Sequence, residues 1–341
     1  MTSLLQFREK LISFYRQYEN LVSIALKFLV VLTAILYING RIGYQKTLAG
    51  VLPTLIITLL CTLLPAGAVA GILAVMIVVH LYSLALEAAL VGGILLLLLL
   101  LLYFRFTPGD TLLLLLYPLC SIAGTPNVLP VAGGLLYSPA SALTVSTGVI
   151  INSFITFVKA NETAIAAKAG DEDLIARFRF LLDGLLQNKA MLVTIIAFSA
   201  SCVCVYVIRR LKIRYAWYVA SAAGCVLQLI IITAGELIYD AGISVGASFL
   251  GVVLAALISA AITFFAFNLD YSAIENTQFE DDDYYYYVRA VPKVLYTEPS
   301  RSVKTISTSR NAYGMQDENF YADQDAPEDD YGQDEEDDAG F

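Results

Sequence analysis

The most restrictive feature of this sequence is a run of 57 residues, from 48 to 104, in which His80 and Glu87 are the only side chains that can carry a charge. A helix that crosses a bilayer needs about 20 consecutive apolar residues, so this run is long enough for two or three crossings. A soluble domain has about 25% charged residues, whereas this chain has 15%. The sequence therefore predicts an integral membrane protein and excludes an ordinary water-soluble enzyme.

Apolar blocks recur along the chain and predict an all-α, polytopic transmembrane helix bundle of about eight spans. Residues 1–20 are expected to form an amphipathic helix at the membrane surface, because apolar side chains recur there at helical spacing. The transmembrane domain then covers residues 21–267, and Pro65 and the Gly92-Gly93 pair are the expected breaks within the long run. The predicted spans are 21–37, 48–64, 68–90, 91–104, 140–158, 190–208, 215–238 and 243–267.

The stretch 111–139 does not fit the pattern of simple spans. Its first apolar piece, Thr111 to Ala123, is too short to cross a bilayer, and a segment rich in Gly, Pro and Asn follows it. Irregular backbone persists at membrane depth only where it is buried in protein or lines a wet cavity. We therefore predict a re-entrant pair of half-helices ahead of the complete span at 140–158.

The distribution of cations predicts the orientation of the bundle. Arg209, Arg210, Lys212 and Arg214 lie between two spans, and loops rich in Lys and Arg stay in the cytoplasm. The loop 159–189 carries five cations and five acids, is expected outside, and contains a predicted surface helix. We therefore expect a multi-pass protein of the plasma membrane with both termini in the cytoplasm.

The C-terminal segment, residues 268–341, is chemically distinct from the rest of the chain. It carries 19 acids and 5 cations, a net charge of −14, whereas residues 1–267 have a net charge of +5. Such a segment cannot bury enough apolar surface to offset its ordering entropy, so we predict a mostly disordered acidic tail.

One part of the tail, residues 279–294, is richer in aromatic and β-branched side chains. An extended segment that pairs with a partner's sheet edge has this composition, and a solvated linker fits it equally well. If the segment does bind a cytoplasmic protein, the candidate contact residues are Tyr284, Tyr285, Tyr286, Tyr287, Val288 and Val291.

Two sets of residues are candidates for a substrate pathway. His80, Glu87 and Glu236 are ionisable groups in or near spans, where such groups usually face a bundle interior or an ion pathway. The alternative is that the two carboxylates are hydrated near the outer interface and that His80 bonds to a neighbouring helix.

The second set belongs to the Gly/Pro-rich hinge. Broken helices often form transporter sites, and tight packing of kinked helices explains the hinge equally well. Its candidates are Asn127, Pro130, Gly133 and Gly134.

The sequence offers no recognisable catalytic or cofactor motif. All five cysteines lie in apolar stretches, the chain has a single histidine, and no Walker phosphate-binding loop occurs. We therefore expect neither an enzyme nor a metal, cofactor or nucleic-acid site.

A likeness to known proteins lies in the acidic run Glu280 to Asp283 with the string Tyr284 to Lys293 that follows it, in Ser302 to Ser307, and in the hinge from Leu129-Pro130 to Ser138-Pro139. In these segments the sequence resembles uncharacterised bacterial multi-pass membrane proteins often catalogued as ABC transporter permeases. The resemblance implies transport and an ATPase partner. An importer permease would also be expected to engage that partner through a coupling loop with an E-A-A-x-x-x-G pattern.

Two functions follow as hypotheses. The first is a permease-like protein that moves a small solute or ion through the broken-helix region. The alternative is a scaffold that does not transport and whose cytoplasmic tail recruits cell-envelope or surface-assembly machinery.

Overall fold

A computed structural model describes residues 2–167, 174–211, 215–267, 275–280 and 285–290 of the protein. The chain divides into two units, Met1–Leu269 and Asp270–Phe341. The first is a helical bundle, and the described part of the second is an antiparallel hairpin. The elements are α1 (Thr2–Gln17), α2 (Glu19–Ile42), α3 (Val51–Leu63), α4 (Ala66–Leu84), α5 (Leu86–Phe106), a 3-10 turn (Pro108–Asp110), α6 (Thr111–Ile122), α7 (Val128–Leu136), α8 (Ser141–Ala160), α9 (Glu162–Ala167), α10 (Leu174–Leu186), α11 (Lys189–Arg209), α12 (Ala216–Tyr239), α13 (Val245–Phe267), β1 (Glu275–Glu280) and β2 (Tyr285–Ala290).

Seven of these helices, α2, α4, α5, α8, α11, α12 and α13, are long and apolar enough to cross a membrane. This confirms the predicted all-α, polytopic bundle. The described residues contain seven such helices rather than eight, because the span predicted at 48–64 is the 13-residue helix α3. At 1.5 Å per residue α3 is about 20 Å long, which is shorter than the hydrocarbon core of about 30 Å.

The short helix α3 is held antiparallel against α2 by hydrogen bonds at both of its ends. Near its start, Asn39 Nδ2 donates to Thr54 Oγ1 over 3.0 Å. At its end, Lys27 Nζ donates to the carbonyl oxygen of Thr62 over 3.0 Å and to that of Leu64. A helix leaves its last carbonyls without backbone partners, and Lys27 provides donors for two carbonyls at this end.

The break predicted at Gly92-Gly93 is wrong, because both glycines lie inside the continuous helix α5. The chain breaks at Ala85, whose extended backbone (φ −160°, ψ 141°) separates α4 from α5. Gly92 provides space instead: a Cβ atom there would lie 2.5 Å from Leu81 Cδ1 and 2.9 Å from Phe154 Cε1. Small residues allow this close packing of membrane helices.

The predicted re-entrant pair is present as α6 and α7, which have 12 and 9 residues. Helix α6 starts directly after the 3-10 turn that follows α5. Four residues separate the end of α7 from the start of α8. The tip between them, at Asn127, bonds to Gln228 in the middle of α12. The pair therefore enters the bundle to at least half its depth and returns to the end from which it came. We call this the Arg209 end, and the opposite one the His80 end.

Helices are present in both segments for which membrane-surface helices were predicted, and their position at the membrane surface stays a prediction. Helix α1 covers most of the predicted segment 1–20. The loop 159–189 contains α9 and α10, and Leu181 and Leu185 of α10 are buried against the bundle. In the tail, β1 and β2 pair in antiparallel register, with Phe279 opposite Tyr286; the rest of the tail, for which disorder was predicted, lies outside the described residues.

Candidate functional site

His80 lies fully buried at the end of α4 and has a partner on each ring nitrogen. The backbone N–H of Gln45 donates to Nδ1 over 3.3 Å, and Nε2 lies 3.1 Å from Asn39 Oδ1. These contacts define a neutral imidazole with its proton on Nε2. His80 ties the end of α2 to the end of α4, which supports the hypothesis of a bond to a neighbouring helix over that of a pathway.

Glu87, at the start of α5, forms an ion pair with Arg177 of α10. The distance from Arg177 Nη1 to Glu87 Oε1 is 2.7 Å, and only 10% of the Glu87 side chain and 14% of the Arg177 side chain are exposed. The pair fastens α10 to the His80 end of the bundle. This carboxylate therefore has a protein partner and is not simply hydrated, as the sequence had suggested as an alternative.

Glu236 closes the turn between α12 and α13. Its Oε2 atom accepts a 2.8 Å hydrogen bond from the backbone N–H of Ile243. The three ionisable candidates thus lie on different helices, and each is engaged in a contact that joins segments of the chain.

The hinge candidates are buried inside protein. Pro130, Gly133 and Gly134 lie on α7, all of whose residues from Val128 to Leu135 are buried, and α7 packs against α8, α11, α12 and α13. Asn127 at the tip donates to the carbonyl of Ser248 over 3.4 Å and accepts from Gln228 Nε2 over 3.0 Å.

The C-terminal end of α7 is capped by a cation from another helix. Arg209, the last residue of α11, donates to the carbonyl oxygens of Leu135 and Tyr137. Its guanidinium also lies over the rings of Tyr206 and Trp217. One member of the cation cluster that predicted the orientation of the bundle therefore also satisfies open carbonyls of the re-entrant pair.

The opposite flank of the re-entrant pair borders a cavity, which we call the α6 cavity. It has a volume of about 70 Å³, and α2, α4, α5, α6 and α8 surround it. Tyr37 bonds to Asn152 and lies 3.2 Å from Ser121, which ties α2, α6 and α8 together. The hydroxyl of Tyr117 has no hydrogen-bond partner within the described ranges. The lining of the α6 cavity includes Tyr37, Ile77, Leu115, Tyr117, Pro118 and Asn152.

A polar cluster at the Arg209 end was missed by the sequence reasoning. Asp110 precedes α6 and is buried, and its Oδ2 atom accepts a 2.7 Å hydrogen bond from Ser141. Thr144 donates to Thr107 over 2.8 Å beside it. We call Thr107, Asp110, Ser141 and Thr144 the neck, because they join the two ends of the re-entrant segment. One sequence signal was available: Asp110 is the only acid between Glu87 and Glu162.

Burial is the main influence on the acidity of this cluster. It raises the pKa of the Asp110 carboxyl, while the hydrogen bond from Ser141 lowers it. The pKa of Tyr137, in the turn between α7 and α8, is also raised, first by burial and then by the nearby Asp110. Both effects follow from the cost of placing a negative charge in a poorly hydrated site.

The tail candidates are divided between described and undescribed residues. Tyr285, Tyr286, Tyr287 and Val288 belong to β2, whereas Tyr284 and Val291 lie outside the described residues. Within the described part of the tail the two strands form a sheet of two, so each has one edge that the other does not pair.

Comparison with known proteins gave no match: no family model fits the sequence, and no curated protein or solved structure is detectably similar to it. The resemblance to permease-like proteins therefore stays a prediction.

Proposed function

We propose that this integral membrane protein is permease-like and that its solute pathway follows α6. The observation that carries this proposal is the α6 cavity, which lies between the re-entrant helix and four other helices. Non-helical backbone at membrane depth is typical of transporters, where it lies next to binding sites. The sequence had suggested a pathway along the hinge residues of α7. Those residues are buried on the flank of the re-entrant pair opposite the α6 cavity, so the proposed pathway is a different one.

The lining of the α6 cavity favours a small, mainly apolar solute with one polar group. Most lining residues are Leu, Ile and Ala, and the polar groups are Tyr37, Tyr117 and Asn152. Pockets for small molecules combine an apolar wall with a few oriented polar groups. A bare ion would need polar ligands throughout its path, so the lining supports a neutral solute over an ion.

Orientation is part of the proposal. Arg209 and Arg210 end α11 at the Arg209 end, and Lys212 and Arg214 follow in the sequence. By the positive-inside rule this end faces the cytoplasm. Under this orientation the neck lies on the cytoplasmic side of the bundle, and α10 lies on the outer side of the plasma membrane.

Cysteine accessibility tests whether the α6 cavity is open to solutes. In a background without the five native cysteines, Ala74→Cys places a thiol on the cavity wall, and Ala197→Cys places one in fully buried packing on α11. We expect a small, neutral maleimide to label the first variant in membranes and to leave the second unlabelled. Equal resistance of the two thiols would contradict an open pathway.

A second function, that of a scaffold, is favoured by the hairpin in the tail. An unpaired strand edge can accept a strand from a partner protein, and β1 and β2 each have such an edge within the described hairpin. The partner under this proposal is a cytoplasmic protein of the cell envelope or surface-assembly machinery.

Two truncations separate the scaffold from the permease. Removing residues 270–341 deletes the hairpin, whereas removing residues 292–341 keeps it and still deletes most of the tail. If the protein is a scaffold, the first truncation should abolish the cellular phenotype at normal membrane abundance, and the second should leave it intact. Full activity of both truncated proteins would contradict the scaffold and support the permease.

A further inference from the structure

The neck closes the re-entrant segment at its base. Asp110 immediately precedes α6 and Ser141 is the first residue of α8, so their hydrogen bond joins the two ends of the 30 residues that enter and leave the membrane. The bond from Thr144 to Thr107 makes a second connection between the same two segments. All four side chains are buried, and any outward movement of α6 and α7 must change these contacts.

Asp110 has no cation partner within the described residues. The ionisable side chains within its electrostatic range are Tyr103 from α5, Tyr137 from the turn after α7, and Cys202 from α11, and all three are uncharged at neutral pH. The nearest basic group on α11, Arg209, is directed at the carbonyls of Leu135 and Tyr137 instead. A buried carboxylate without a counter-charge is costly, and taking up a proton removes this cost.

The remaining oxygen atoms near the neck are not arranged as a cage for a metal ion. The hydroxyl of Thr144 is bonded to that of Thr107, and the hydroxyl of Tyr103 is bonded to that of Thr111. Hard cations need several oxygen ligands that converge on one point, whereas these hydroxyls satisfy one another in pairs. The ligand that fits Asp110 is therefore a proton.

We propose that Asp110 is a proton-binding site of the membrane domain and that its charge state controls how firmly α6 and α7 are tied to α8. In the ionised state Ser141 donates to a charged acceptor, which is the stronger kind of hydrogen bond. When Asp110 takes up one proton it becomes a neutral acid, the bond from Ser141 loses its charge assistance, and the neck loosens. The inference does not depend on whether the α6 cavity conducts a solute.

Infrared difference spectroscopy of the full-length protein in lipid nanodiscs tests this inference. We expect a carbonyl band of a protonated carboxyl that persists above pH about 5, where an ordinary aspartate, with a pKa of about 3.9, is ionised. The band should vanish in Asp110→Asn and remain in Asp183→Asn, the same chemical change at an exposed position on α10. Ser141→Ala should move the titration to higher pH, because the serine stabilises the ionised form.

Several outcomes would overturn the proposal. They are the absence of the band from the wild-type protein, its survival in Asp110→Asn, and a titration that Ser141→Ala does not move. A band that responds to added sodium chloride at fixed pH would replace the proton with a sodium ion. If Asp110→Asn does not fold, the comparison of Ser141→Ala with the wild-type protein decides the question alone.

Discussion

Replacing Gly134 with alanine is expected to destabilise the bundle by about 1–3 kcal/mol, the usual cost of overpacking a dense core. A Cβ atom at this position would lie 2.5 Å from the carbonyl oxygen of Cys202 and 2.7 Å from Val205 Cβ. The first of these belongs to the backbone of α11 and cannot rotate away, so α7 and α11 must separate. The higher helix propensity of alanine, worth up to about 1 kcal/mol, offsets only part of this loss.

The neighbouring residue Gly133 is the matched control for this experiment. A Cβ atom there would meet Ser141 Cβ at 3.4 Å and Cys202 Sγ at 3.5 Å, which are ordinary contact distances. Gly133→Ala should therefore be neutral or slightly stabilising, and thermal unfolding in detergent should separate the two variants. Equal melting temperatures for the two variants would contradict the close contact between α7 and α11.

Replacing Glu87 with alanine is expected to cost about 3–5 kcal/mol, the range measured when one partner of a buried ion pair is removed. The loss is large because the guanidinium of Arg177 stays mostly buried without its carboxylate. Since this pair connects α10 to α5, we expect α10 to detach first, and limited proteolysis should cut the loop 159–189 sooner than in the wild-type protein.

Two further variants define the origin of this effect. The double variant Glu87→Met, Arg177→Met removes both charges of the pair and should recover much of the lost stability, because replacing a whole buried ion pair by apolar residues is often close to neutral. Lys159 and Glu162 form an exposed pair on the same side of the bundle, and Glu162→Gln should cost less than about 1 kcal/mol. A Glu87→Ala variant as stable as Glu162→Gln would show that the buried pair does not hold α10.

The class of the fold could be predicted from the sequence because span length is a local property. About 20 apolar residues are needed wherever a helix crosses the bilayer, so the long helices were visible without knowledge of their neighbours. The re-entrant pair was also predictable, since Thr111 to Ala123 is too short to cross and Pro and Gly follow it. Errors arose where one helix contacts another: Gly92 was interpreted as a break, although it allows Leu81 and Phe154 to pack closely.

The candidate site could be predicted only in part, because the role of a polar residue depends on its partner. His80, Glu87 and Glu236 were found as unusual residues, but their contacts are made with Asn39, Arg177 and Ile243. The first two partners are distant in the sequence, and the third lies across a turn. Asp110 was overlooked because a single acid between apolar runs is typical of a loop. Only the packing of α5 and α8 around it makes it a buried carboxyl.

The sequence by itself determined that this chain enters a bilayer, where most of its spans lie, and where the backbone must turn back. These properties depend on the transfer of apolar and peptide groups from water, which acts residue by residue. The tertiary structure decided which flank of the re-entrant pair is packed, where the α6 cavity lies and that the Asp110 carboxyl is buried. Those features depend on contacts between residues far apart in the chain, such as Asp110 and Ser141, and on the close packing that excludes water around them.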